Sequence, residues 1–163
     1  ALLTALDKLG ENVGIIFTKP NADTDGRAII RLMDGYAANH ANARVYNSLG
    51  QVRYLSAMSQ VDAVVGNSSS GLYEAPSFGK PTVNIGDRQK GRLQAASVIN
   101  CGQDASAIEK AVLQALASDC SGAVNPYGDG NSSARIKNHL KQIAEPSALL
   151  KKHFFEQIAE ASA

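Results

Sequence analysis

Five short β-rich runs alternate with helix-length stretches along the chain, and that alternation constrains the fold more than any other feature. The runs are Val13–Phe17, Ala43–Tyr46, Asp62–Gly66, Pro81–Ile85 and Ser97–Asn100. Residues 1–9 read as the tail of an amphipathic helix with Gly10 as its C-cap. Periodicity predicts a second helix over Thr24–Asn39, with Ile29, Ile30, Leu32, Met33 and Tyr36 as its apolar stripe. A third, over Gly50–Ser59, carries Val52, Leu55 and Met58, and a fourth begins at the serines after Gly66 with Leu72, Tyr73 and Ala75. Asp104 is expected to N-cap a fifth running to Leu116, with Ile108, Val112, Leu113 and Leu116 on one face. Strands joined by helices through short connections imply a parallel sheet covered on both faces, an α/β fold. Right-handed crossovers make it a Rossmann-like, doubly wound layer. Past Leu116 come a polar loop over Asp119–Asn131 and helices near Ser132–Ile143 and Ser147–Glu160. Pro146 separates those two, because its ring and missing N–H cannot continue a helix.

Composition excludes several classes of function. The 163 residues suffice for one sizeable core or two small ones. An apolar fraction of 44% with 19% charged residues argues against intrinsic disorder. A net charge of +1 leaves no electrostatic footprint for nucleic acid or an anionic membrane. No apolar run approaches the roughly 20 residues that span a bilayer. Cys101 and Cys120 are too few for a disulfide scaffold and point to a reducing, cytoplasmic setting. His40, His139 and His153 are scattered without metal-ligand spacing and are expected on helix surfaces, so no metal site is called. The Tyr and Phe residues read as packing, not as a stacking platform for bases. An opening of Ala-Leu-Leu-Thr, without Met or a signal pattern, suggests a piece of a longer protein.

Ligands of open α/β sheets bind beyond the carboxyl ends of the strands. Three loops leave from those ends: Pro20–Asp25, Asn67–Gly71 and Asp87–Arg92. Asn67-Ser68-Ser69-Ser70-Gly71 lies between a buried strand and a helix start, where unpaired N–H groups and the helix dipole favour an anion such as phosphate. Serine is also a favoured N-cap, for which one would do. Glu74 reads equally as a first-turn carboxylate matched to the dipole or as an acceptor for two ribose hydroxyls. Asp87-Arg88-Gln89-Lys90-Gly91-Arg92 reads as a solvated charge run or as a basic loop over a diphosphate. Asn21 and Asp23 suit a turn, and Asn21 would project at the same edge.

The run from Val65 to Arg92 (VGNSSSGLYEAPSFGKPTVNIGDRQKGR) closely resembles the hydrolysing UDP-N-acetylglucosamine 2-epimerases. Tyr127-Gly-Asp-Gly-Asn131 and Pro20-Asn-Ala-Asp23 are similar to that family in the same chain order, so the resemblance covers nearly the whole sequence. It implies the carboxyl-terminal, UDP-binding half of a two-domain GT-B enzyme. Residues 1–145 would form the UDP-binding domain, and 146–163 a terminal helix packing on a missing amino-terminal domain. Carried over by position, Ser68 and Ser69 would bind the diphosphate, Glu74 the ribose hydroxyls, and Arg88 the phosphates. Asn21 would line the site, and Tyr46-Asn47 would meet uracil largely through main-chain groups. The implied partners are UDP and UDP-N-acetylglucosamine or a related UDP-sugar, with no cofactor. The implied reaction converts UDP-N-acetylglucosamine to N-acetylmannosamine and UDP, on the route to sialic-acid-type sugars. No residue of this chain is a convincing base for sugar C2, so the piece alone is expected to be inactive. Leu149, Leu150, Phe154, Phe155 and Ile158 would give the last helix an apolar face and a tendency to homo-oligomerise. A GT-B glycosyltransferase half and a non-catalytic nucleotide-binding module are the competing readings.

Overall fold

A computed structural model describes residues 1–20 and 26–151. The chain divides into two compact units, Ala1–Tyr127 and Gly128–Ala163.

The first unit alternates helices and strands as expected: α1 (Leu2–Asp7), β1 (Ile15–Thr18), α2 (Gly26–Asn39), β2 (Ala43–Tyr46), α3 (Gly50–Gln60), β3 (Val64–Gly66), α4 (Ser70–Tyr73), β4 (Thr82–Ile85), β5 (Val98–Cys101) and α5 (Ala105–Leu116). Every ladder is parallel, with Ile15 opposite Ala43, Val64 opposite Thr82 and Thr82 opposite Val98. Among the described residues the ladders form two pieces, β1–β2 and β3–β4–β5, where one sheet was expected. With only three residues, β3 offers few amides to a further neighbour.

Helix α1 bridges the two pieces. Ala5 packs with Val83, Ile108, Ala111, Val112 and Ala115, whereas the next residue, Leu6, joins Phe17, Tyr36 and Ala43. Successive helical residues point about 100° apart, so one short helix can serve two neighbouring clusters. The β4 strand shows why helices cover both faces of its sheet. Val83 turns toward α5, while Thr82 turns the other way and donates its hydroxyl to the Gly71 carbonyl of α4 at 2.9 Å.

Several expectations are corrected. In α5 the buried face is Ile108, Ala111, Val112 and Ala115, and Leu113 and Leu116 are exposed. The small alanines let the helix approach the sheet, which turns those two leucines outward. Asp104 does cap α5, accepting from the Ala107 N–H at 2.9 Å. On α2, Tyr36 is buried and Met33 and Ala37 pack beside it, but Ile29 and Leu32 lie exposed because β1 and β2 meet only the Tyr36 side. His40 is not a bare surface residue: its ring stacks on Tyr36 at 3.8 Å and its Nε2 lies 3.2 Å from Asp7. Burial, then the neighbouring Asp7 carboxylate, pushes the Tyr36 phenol up. The β3 strand is half-buried, not fully enclosed.

In the second unit, α6 spans Ser132–Lys141, two residues short of its expected end. Asp129 and Arg135 pair through both guanidinium nitrogens, which holds the Asp129 carboxyl well below the usual carboxylate range. Pro146–Leu149 forms a single 3-10 turn where a helix was expected to begin, and Leu149 and Leu150 are exposed. Phe154, Phe155 and Ile158 lie outside the described residues.

Candidate functional site

At the carboxyl ends of β1, β2 and β3 lies a cleft of about 450 Å³. The end of β1 and the residues after it contribute Thr18, Lys19 and Pro20; the β2–α3 connection contributes Asn47, and the start of α3 Gly50. The far wall is Tyr54, Ser68, Ser70 and Glu74. Residues distant in sequence meet here because parallel strands bring all their carboxyl ends to one edge.

Gly66 ends β3 with φ 149°, a conformation that L side chains rarely adopt, and lets the chain turn sharply into the serines. Within them, Ser70 donates its N–H to Ser68 Oγ at 3.3 Å, and Tyr54 of α3 shares a 2.7 Å hydroxyl contact with Ser70. Gly71 is fixed by crowding: a Cβ there would meet Thr82 Cγ2 at 2.5 Å. The expected helix is only one turn long, because Pro76 lacks the N–H needed to continue it and a 3-10 turn, Ala75–Phe78, follows. Both α3, from Gly50, and α4, from Ser70, start at the cleft and direct the positive ends of their dipoles toward it. Lys19 adds a cation nearby, although its Nζ is paired with Asp34 at 2.9 Å.

Glu74 is half-buried, and its Oε2 is shut from solvent without a donor among the described residues. A buried acceptor left unmade is costly, and Glu74 lines the cleft, so a ligand hydroxyl that reached this oxygen would relieve that cost.

The structure therefore brings Asn47, Ser68 and Glu74 together. Ser69 stands behind them as the N-cap of α4, its carbonyl accepting from Leu72 and Tyr73 at 2.9 Å each. Arg88 is exposed on the loop after β4, with Nη1 3.5 Å from Asn67 Oδ1. Asn21 lies outside the described residues. Sequence reasoning missed the residues that hold this loop. Gln89, only 2% exposed, sits among charged neighbours and reads as solvated in sequence, yet its Nε2 donates to the Asn67 carbonyl at 2.7 Å. Tyr73, Asn125 and Tyr127 form a second support, which no spacing rule could reveal across 52 and 34 residues.

A wider cleft of about 830 Å³ opens beyond β4 and β5. Its floor is a chain of amides: Asn84 donates to Asn100 at 2.8 Å, and Asn100 to Gln94 at 2.8 Å. Asp87, Lys90 and Arg92 also line it, and it reaches the Gly102–Gln103 turn that leads into α5.

The sequence profile of the family described as UDP-N-acetylglucosamine 2-epimerase matches residues 1–141. The chain belongs to that family. It is 45% identical over 100 residues to the Campylobacter jejuni GDP/UDP-N,N'-diacetylbacillosamine 2-epimerase (hydrolyzing), covering 61% of this chain and 26% of that protein. It is 35% identical over 144 residues to the Legionella pneumophila UDP-N,N'-diacetylbacillosamine 2-epimerase (hydrolyzing), covering 88% of this chain and 38% of that protein. The chain thus spans well under half the length of these family members. Among solved structures, the Methanocaldococcus jannaschii UDP-GlcNAc 2-epimerase in complex with UDP-GlcNAc and UDP superposes with a TM-score of 0.67. That match has 19% identity and covers 84% of this chain and 37% of that one. The Neisseria meningitidis UDP-GlcNAc 2-epimerase bound to UDP-GlcNAc gives 0.65 at 20% identity, over 85% of this chain and 39% of that one. The expected Rossmann-like architecture of a GT-B enzyme is the fold shared with these epimerases.

Proposed function

We propose that this chain forms the UDP-binding side of a hydrolysing UDP-sugar 2-epimerase. The observation that carries the reading is the convergence of Asn47, Ser68 and Glu74 on one strand-end cleft, with the Glu74 Oε2 buried and unpartnered among the described residues. In this reading Glu74 accepts from the ribose hydroxyls, and main-chain groups near Asn47 meet uracil. Ser68 and Ser69 bind the diphosphate at the start of α4, Arg88 reaches it from the loop after β4, and Asn21 completes the lining.

The chemistry starts with loss of the proton at sugar C2. The electron pair left behind forms the C1–C2 double bond as the C1–O bond to UDP breaks in an anti elimination. Water then adds across the resulting 2-acetamidoglucal, releasing N-acetylmannosamine when the substrate is UDP-N-acetylglucosamine. In this reading negative charge grows on the departing diphosphate, and the serines, the helix starts and Arg88 stabilise it. The acid and base for C2 are assigned to an amino-terminal domain that closes the cleft. Residues 1–145 serve as the carboxyl-terminal nucleotide domain, and 146–163 as the segment that packs back on its partner domain. A homo-oligomeric enzyme in the cytoplasm, feeding synthesis of sialic-acid-type sugars, completes the proposal. A UDP-linked 2,4-diacetamido sugar is a second substrate reading, favoured by the identity to the two diacetylbacillosamine 2-epimerases.

Titration with UDP, with ADP and N-acetylglucosamine as controls, tests the half-site through backbone amide NMR. UDP alone should shift Ser68, Ser69, Glu74 and the amides around Asn47. Silence there overturns the nucleotide site. UDP release from each of the two UDP-sugars by the full-length protein then ranks the substrates, and release from neither rejects the enzymatic reading.

A further inference from the structure

The crossover from β4 to β5, Gly86–Ser97, contains no helix, although it connects parallel strands and carries Arg88. Such a segment orders a cationic side chain only if other elements hold it. One end is held beside Arg88 by the buried Gln89 amide on the Asn67 carbonyl. The other end is held by residues that follow α5 in the chain. The Tyr127 hydroxyl donates to the Leu93 carbonyl at 2.9 Å, and its ring meets Tyr73 edge-on at 4.3 Å. Arg92 lies 5.5 Å from the centroid of the same Tyr73 ring and donates to the Tyr73 hydroxyl at 3.0 Å. Asn125 completes the strap, donating to the Tyr73 carbonyl at 2.8 Å and to Ser77 Oγ at 2.7 Å, and accepting the Tyr127 N–H at 2.9 Å.

Tyr127 is 39% exposed, too open for simple core packing to account for it. Its partners instead join two things that the nucleotide needs together. Tyr73 immediately precedes Glu74, on the ribose side, while Leu93 and Arg92 close the loop that bears Arg88, on the phosphate side. We propose that Tyr127 is a positioning residue that sets the reach of Arg88 toward a nucleoside diphosphate by clamping the Gly86–Ser97 crossover to Tyr73. The inference rests on the UDP-site reading above.

Tyr127→Phe in the full chain removes one hydroxyl and keeps the ring. UDP affinity should fall by about 3–10-fold, the worth of one hydrogen bond, while uridine, which has no phosphates, binds as before. Tyr73→Phe, which removes the hydroxyl acceptor of Arg92, should act the same way. The decisive readout is a double-mutant cycle: in an Arg88→Ala background, Tyr127→Phe should cost UDP nothing further. Equal losses for UDP and uridine, or additive losses in the cycle, overturn the clamp and leave the UDP site standing. Failure of the unsubstituted chain to bind UDP brings down the site itself and the clamp with it.

Discussion

The β3–β4–β5 layer and the β1–β2 ladder are built from similar parallel strands, yet they bury their side chains very differently. In the first, Val83 is 0% exposed and Ile108 1%, with α5 on one face and α4 on the other. In the second, Phe17 and Ala43 are buried on one face, while Ile16 and Tyr46 stand 50% and 43% exposed on the opposite face. The cleft lies where these regions meet. The well-packed layer holds the serine turn, Glu74 and the Arg88 loop, and the thinner ladder contributes Thr18–Pro20 and Asn47. Preorganised donors for charge belong on a rigid support, whereas main-chain recognition of a flat base needs only a correctly placed strand end.

The sharpest way to break this contrast is to remove equivalent apolar bulk from each side. Ile108→Ala should cost about 2–5 kcal/mol in denaturant unfolding, and Ile16→Ala less than about 1 kcal/mol. Equal losses would mean that both regions are packed alike. Gly71→Ala drives a Cβ into Thr82 and should cost about 1–3 kcal/mol, measured in the same experiment. It should also disturb UDP binding, because the Thr82–Gly71 bond seats the serine turn.

Binding sharpens the division further. Glu74→Gln should weaken uridine and UDP alike, by about tenfold, the scale of a hydrogen bond to a charged group. Arg88→Ala should weaken UDP only. A common pattern for both substitutions in calorimetric titrations would erase the proposed ribose and phosphate sides.

The smallest effect concerns pH. Folding raises the Tyr36 phenol above its ordinary value near 10, so the native state keeps a proton that the unfolded chain gives up. Its contribution is complete below that value and is lost as pH rises toward the raised native value. Stability should therefore decline above about pH 10, and Tyr36→Phe should flatten that slope in urea melts taken along the alkaline range.

The order of strands and helices was legible because short β-rich runs and 3.6-residue periodicity are local signals. Asn67–Gly71 and Glu74 were legible as candidates because a strand running directly into serines is also local. The face of α5 was misjudged since Leu113 and Leu116 satisfy the apolar periodicity almost as well as Ala111 and Ala115. Only contact with the sheet separates the two sets. Ala75 was expected on α4 but falls in the following 3-10 turn, because Pro76 acts within a turn that the apolar pattern does not register.

The sequence by itself determined the α/β class, the family and the serine–glutamate turn, for each is written in neighbouring residues and their spacing. The tertiary structure alone decided that α1 serves two clusters, that Glu74 keeps an unpartnered oxygen beside Asn47 and Ser68, and that Gln89 and Tyr127 tether the Arg88 loop. The Gln89–Asn67 and Asn125–Tyr73 bonds, for example, join residues 22 and 52 positions apart. Such pairings leave no local signature, because what brings them together is burial and strand order, which exist only after the chain has folded.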